Sequence, residues 1–162
     1  MGFPNEPSGF GKARLGMTLD EVKKALPQMT AKRLPPEGGP ALLAIYKVDN
    51  QSIYGLKPCA VDLFFDPQRL YQISFDCGRD EKVVVAVQKK FGDPSQITPN
   101  AAFWYGAHTN VTLNVKVRTF AFIDRALESD VQNRLRAYVM AHQGPAGTPA
   151  AQAEPTSAPT PQ

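Results

Sequence analysis

The clearest periodicity in the chain lies at residues 59–77, CAVDLFFDPQRLYQISFDC, where apolar and polar positions alternate on both sides of a DPQR turn. A period of two on each arm predicts a β-hairpin. The register that keeps apolar opposite apolar pairs Val61 with Phe75, Leu63 with Ile73 and Phe65 with Tyr71. Asp62, Phe64, Gln72, Ser74 and Asp76 then share the other face. A slip of one residue would set apolar against polar along the whole ladder, so the pattern selects this register.

Elsewhere the period lengthens. TLDE at residues 18–21 has the capping-box spacing, and Leu19, Val22 and Leu26 form one stripe until Pro27 stops the helix. Asp80 is placed to cap a second helix with Val83, Val84, Val87 and Phe91 on one face, ended by Gly92 and Pro94. A third helix is expected over residues 129–142, carrying Val131, Leu135, Tyr138 and Val139 on one side. Strands are expected at residues 42–48, after a loop marked by Pro35, Pro36, Gly38, Gly39 and Pro40, and at 102–106, 110–116 and 119–124. VKKALP at 22–27 and VQKKFG at 87–92 both close a helix that precedes strands, which hints at an internal duplication. The expected fold class is therefore α+β, an antiparallel sheet with helices packed on the face made by Val61, Leu63, Ile73 and Phe75.

Length and composition confine this pattern to one core, because 162 residues, 43% hydrophobic and 20% charged, suit one globular domain. That single domain is expected over residues 1–142. Residues 143–162, QGPAGTPAAQAEPTSAPTPQ, hold five of the fifteen prolines, one charge at Glu154 and no large apolar side chain. They predict a disordered tail that serves as a tether, since no PxxP is flanked by Arg or Lys. No apolar run approaches the roughly 20 residues that cross a bilayer, so no transmembrane segment is expected. A formal charge of +3 is too slight to imply nucleic acid.

The hairpin register also sets Cys59 opposite Cys77, where cross-strand Cα atoms fall within disulfide range. A Cys59–Cys77 bond is expected, the alternative being two buried thiols that face each other. The bond requires an oxidising compartment, which makes the expected location periplasmic or secreted. The opening MGFPNEPSGFGKAR shows no charged segment followed by an apolar run. It fits a cytosolic protein or the mature part of an exported one, and the cysteines favour the second.

Few side chains suit catalysis. Two His and two Cys leave the common nucleophile, base and metal constellations incomplete, so no cofactor or metal is expected. GFGK at residues 9–12 misses the P-loop spacing and reads as a flexible lead-in to the first helix. GxSxG and HExxH are absent from the sequence. Asp62 and Asp76 read as solvated carboxylates on the open face, His108 as a turn residue without a visible partner, and His142 as a helix-terminal side chain that favours the dipole. Asn110-Val111-Thr112 matches a glycosylation sequon and is read as incidental.

LGMTLDEVKKALP at residues 15–27, with FFDPQRLYQISF and the later VQKKFGDP, resembles small secreted domains of the BamE (SmpA/OmlA) lipoprotein and β-lactamase-inhibitor-protein type. The likeness covers about residues 10–125, and its GMT-x-x-EV portion corresponds to Gly16, Met17, Thr18, Glu21 and Val22. The resemblance implies a short helix packed on antiparallel strands, tandem copies forming a curved sheet whose open face binds a protein, and an envelope or secreted setting. These residues set a turn and a cap and signal fold, not activity. The chain departs from the pattern in two places: no lipobox cysteine stands near the N-terminus, so lipid anchoring is not expected, and the second half lacks its own GMT start.

Trp104 and Tyr105 alternate across a strand, so one packs in the core while the other faces solvent. Phe64 falls on the polar face among Asp62 and Gln72. Left uncovered it marks a contact site; the alternative is that a strand, a loop or Tyr54 covers it. The leading expectation is a non-enzymatic extracytoplasmic domain that binds another protein through the open face of its sheet, with Phe64, Gln72, Asp62 and Tyr105 as binding residues. Small-ligand binding in the sheet concavity is the alternative, and an enzyme of unfamiliar type is a third class.

Overall fold

The computed structural model describes residues 2–35 and 43–142. The tail expected at 143–162 and most of the expected Pro/Gly loop lie outside these residues. Met1–Glu128 form one unit, and a second begins at Ser129. The described chain is α+β, with three helices and ten strands.

The capping box forms as the sequence requires: the Glu21 N–H donates to Thr18 Oγ1 and the Thr18 N–H to Glu21 Oε1, opening α1 at Leu19–Ala25. The residues before α1 dock on the hairpin turn. Gly16 donates to the Leu70 carbonyl at 2.7 Å, the Leu70 N–H to the Met17 carbonyl at 2.9 Å, and Leu19 to Gln68 at 3.0 Å. Gly16 takes φ 94 to make this approach, a left-handed value that a side chain would oppose. The Gly-Met-Thr stretch is thus a clasp between the first helix and the hairpin. The segment before it differs from expectation: β1 (Gly9–Phe10) and β2 (Ala13–Arg14) pair across GFGK as a small hairpin, because Phe10 has a partner in the core, its ring edge on Phe75 at 5.6 Å.

Four strands follow α1 in an antiparallel meander: β3 (Thr30–Arg33), β4 (Ala44–Ile53), β5 (Leu56–Phe65) and β6 (Leu70–Asp76). β4 runs beyond the expected residues 42–48, of which Leu42 lies outside the described residues. Its polar end stays extended because β5 is long enough to pair with it, through two register shifts between Val48 and Ile53. β5 and β6 pair Val61 with Phe75 and Leu63 with Ile73, as the alternation requires. Phe65, however, faces Leu70 and not Tyr71, because the register shifts between Phe64 and Phe65. The Asp66 carboxylate accepts the N–H groups of Gln68 and Arg69 and draws the turn tight, leaving Tyr71 as the extra residue. Tyr71 then meets the Phe64 ring on the other face, at 6.4 Å. Cys59 and Cys77 form a disulfide with their Cα atoms 4.1 Å apart.

α2 (Lys82–Phe91) starts after Asp80, whose Oδ1 accepts the Lys82 N–H at 2.9 Å, although the geometric cap is Glu81. Val83, Val87 and Phe91 are buried and Val84 is partly buried. A second meander runs through β7 (Gln96–Ile97), β8 (Ala101–Tyr105), β9 (Thr109–Asn114) and β10 (Thr119–Asp124). α3 spans Arg125–Ala141, starting earlier than residue 129 because the Asp124 carboxylate accepts the Leu127 N–H at 2.9 Å and caps the helix directly off β10. Within it Val139 is 53% exposed, so the expected apolar stripe does not extend to it as a buried face.

The strand order β3-β4-β5-β6-β10-β9-β8-β7 shows the duplication whole. Each half is a helix followed by four antiparallel strands, and the halves join through their last strands, with Phe75 opposite Phe120 and Ile73 opposite Phe122. Phe75 lies 4.8 Å from both the Phe120 and Phe122 rings, and Val22 of α1 and Leu26 at its C-terminal end share one core with Val83, Val87 and Phe91 of α2. Both helices therefore cover the same face of the sheet.

Glu6 ties the N-terminal segment to the second half. Its carboxylate accepts the backbone N–H groups of Ala107, His108 and Thr109 at 3.0, 2.8 and 2.9 Å. A Cβ on Gly106 would lie 2.6 Å from that carboxyl group, so only glycine fits beneath it. Partial burial alone would raise the Glu6 pKa, but the three donors and the nearby His108 ring outweigh it and hold the carboxyl below its ordinary value.

Two outcomes follow from these ties. Reduction of the disulfide, or Cys59→Ser with Cys77→Ser, removes a cross-link between residues 18 apart and should lower stability by about 3 kcal/mol in denaturant titrations. Because the folded-state pKa of Glu6 is depressed, its contribution is complete above the ordinary carboxylate value of about 4.3 and fades as pH falls through the lower folded value. Glu6→Gln should melt a few degrees below wild type at pH 7, a loss of about 1 kcal/mol at this partly solvated site, and the two melting curves should converge once the pH has fallen below the depressed folded-state value.

Candidate functional site

The face of the sheet turned away from α1 and α2 is organised in lateral rows where the strand pairs hold register between their bulges. Reading across the sheet, Ile45, Phe64, Gln72, Ile123, Asn110 and Tyr105 stand side by side on six strands. The adjacent row holds Lys47, Asp62, Ser74, Ala121, Thr112, Phe103 and Gln96. Phe64, Gln72 and Tyr105 thus fall in one row and Asp62 in the next, although Phe64 and Tyr105 are four strands, about 19 Å, apart.

The four residues differ in what they offer. Phe64 is half-buried against Tyr71, and Tyr54 is not its cover: that ring packs in the core, 5.7 Å from Phe91 and 6.3 Å from Phe120. Gln72 Nε2 donates to Ser74 Oγ at 2.9 Å. Asp62 is paired with Lys32 of β3 at 2.7 Å, an exposed ion pair worth about 0–1 kcal/mol. Asp76 accepts the Gly78 N–H and closes a turn. Tyr105 is 43% exposed, its ring stacked on Phe103 at 6.1 Å and 16°, and its hydroxyl donates to Gln96. Trp104, its neighbour, points the other way and is buried, with Nε1 donating to the Gly92 carbonyl at 3.0 Å. Ile45, Tyr71, Ala121 and Ile123, on the same face as Tyr105, are buried. The solvent-facing aromatic area is therefore at the β7–β9 flank, around Tyr105.

His108 stands exposed in the turn between β8 and β9. It lines a cleft of about 490 Å³ with Asp124 and Arg125, whose guanidinium donates to the Gly106 carbonyl. His142 Nδ1 lies 2.9 Å from the Tyr138 carbonyl, within the helix it ends. Among the described residues, no three His, Cys, Asp or Glu side chains converge as a metal site, and no helix is long and apolar enough to cross a membrane.

Sequence reasoning missed a second cleft, of about 530 Å³, between α2 and the β4–β5 turn. Its floor is Tyr54, which holds φ 54 ahead of Gly55 at φ 80, the backbone of a tight type I′ hairpin turn. Asn-Gly is the usual signal for such a turn, and Tyr in the first position hid it. Burial pushes the Tyr54 hydroxyl up to about 12.

No curated protein and no solved structure matches the chain. The TP0088 domain family matches residues 8–134, which takes in both helix-plus-four-strand halves and the first part of α3. The chain belongs to the TP0088 domain family.

Proposed function

We propose that this chain is a non-enzymatic, extracytoplasmic binding domain that takes another protein on the sheet face opposite α1 and α2. The observation that carries the reading is Tyr105, exposed on a flank of that face and stacked on the half-buried Phe103, beside Gln96, Thr112 and Asn114. Rigid aromatic rings with a polar tip, set among hydrogen-bonding side chains, are the common composition of an interface anchor. Tyr105 leads this site because it is exposed, and Phe64, Gln72 and Asp62 lie further along the face as lesser contributors because each is half-buried.

The disulfide supports a periplasmic or secreted setting, since it persists in oxidising compartments. The two helix-plus-four-strand halves support the likeness to BamE-type and β-lactamase-inhibitor-protein domains, which use a sheet face for a protein partner.

A photo-crosslinking amino acid at position 105, compared with one at the exposed position 20 of α1, tests the site in an envelope extract. Position 105 should give a discrete adduct that position 20 does not, and competition by the unlabelled chain should weaken about 30-fold with Tyr105→Ala. Tyr105→Ala itself should cost about 1 kcal/mol or less in stability, given its exposure. Equal adducts from both positions, or undiminished competition by a folded Tyr105→Ala chain, would refute the assignment.

A further inference from the structure

The cleft between α2 and the β4–β5 turn has a chemistry separate from the sheet face. α2 carries Lys82, Lys89 and Lys90 and no acidic residue. Among the described residues none of these lysines makes an ion pair. Lys90 Nζ instead sits over the Tyr54 ring, 5.4 Å from its centre. Between the charges, Val85 is 61% exposed and lines the cleft with Leu56 and Ala86. An exposed branched aliphatic that shares a cleft with lysines making no ion pair, with Asp93 beside Lys89 in the adjoining depression, is a surface with both an apolar and an anionic demand.

We propose that this cleft binds a phosphate monoester carrying a short apolar chain. Size, charge and apolar lining each support that class. A cavity of about 530 Å³ falls within the range of small-molecule sites. Lysine ammonium groups act as compact point charges, which suits a phosphate better than the planar, bidentate recognition of a carboxylate that arginine supplies. The apolar chain lies along Val85, Ala86 and Leu56. It does not stack on Tyr54, whose ring already packs on Phe120 and carries Lys90 above it. The Tyr54 hydroxyl stays neutral at physiological pH, so it adds no charge against an anion.

The test is titration of the full chain with n-octyl phosphate, followed by amide NMR shifts. Saturable shifts confined to α2 and the Tyr54-Gly55 turn are expected, with half-saturation at about 1 mM or below for a ligand of this size. Lys82→Gln with Lys89→Gln should weaken binding about tenfold or more while leaving the melting temperature within a few degrees, because both side chains are exposed. Val85→Ser should weaken octyl phosphate while leaving any response to inorganic phosphate unchanged. The same shifts from inorganic phosphate alone, from octanol alone or from octyltrimethylammonium would overturn the proposal. So would the absence of saturation, or binding seen only with vesicles of anionic phospholipid, which would make the patch a membrane contact. The sheet-face reading stands or falls separately, since Tyr105 lies outside this cleft.

Discussion

The structure depends on β6. It is paired to β5 on one side and β10 on the other, and its inward residues Ile73 and Phe75 meet Leu63, Val61, Phe122 and Phe120 across those two seams. A strand has a side-chain period of two, so a single-residue slip of β6 would turn both aromatic seams outward together. The disulfide just beyond its end holds one seam in register, and the Phe75–Phe120–Phe122 cluster fills the other. Each half of the duplication is a meander on its own helix; what makes them one sheet is this shared strand.

That arrangement also assigns the two faces. Because α1 and α2 each precede a meander and both pack on the inward side, they meet in a single core, while the second face carries its own buried side chains, Ile45, Tyr71, Ala121 and Ile123. Two further ties tune the assembly: the Gly-Met-Thr clasp fixes α1 to the β5–β6 turn, and Glu6 occupies the three backbone donors of the β8–β9 turn. A carboxylate distant in sequence thus supplies the acceptor for three successive backbone N–H groups of that turn, of which the Thr109 bond is the part-buried one.

The two surfaces proposed for binding differ in physical kind. The sheet face is buried at Ile45, Tyr71, Ala121 and Ile123 and offers its exposed ring, Tyr105, at the β8 flank. The α2 cleft is concave, cationic and lined by a helix stripe and a turn. They share no residue, and different interactions govern them: aromatic packing for the first, charge beside a small apolar wall for the second.

The sequence by itself determined the hairpin, its register up to Phe64, the opposed cysteines, the α1 cap and the alternation that sets Trp104 and Tyr105 on opposite faces. Each of these is a local pattern, where period and spacing are sufficient causes. Tertiary structure decided the rest. The bulge that moves Tyr71 beside Phe64 arises from how tightly Asp66 draws its turn, and the extension of β4 from the length of its partner strand. The pinning of Glu6 is a contact across about a hundred residues, which no window along the chain contains. Tyr54 sits where a turn residue was needed, yet its ring is held by the core, so the cleft above it became visible only when α2 and the β4–β5 turn were brought together.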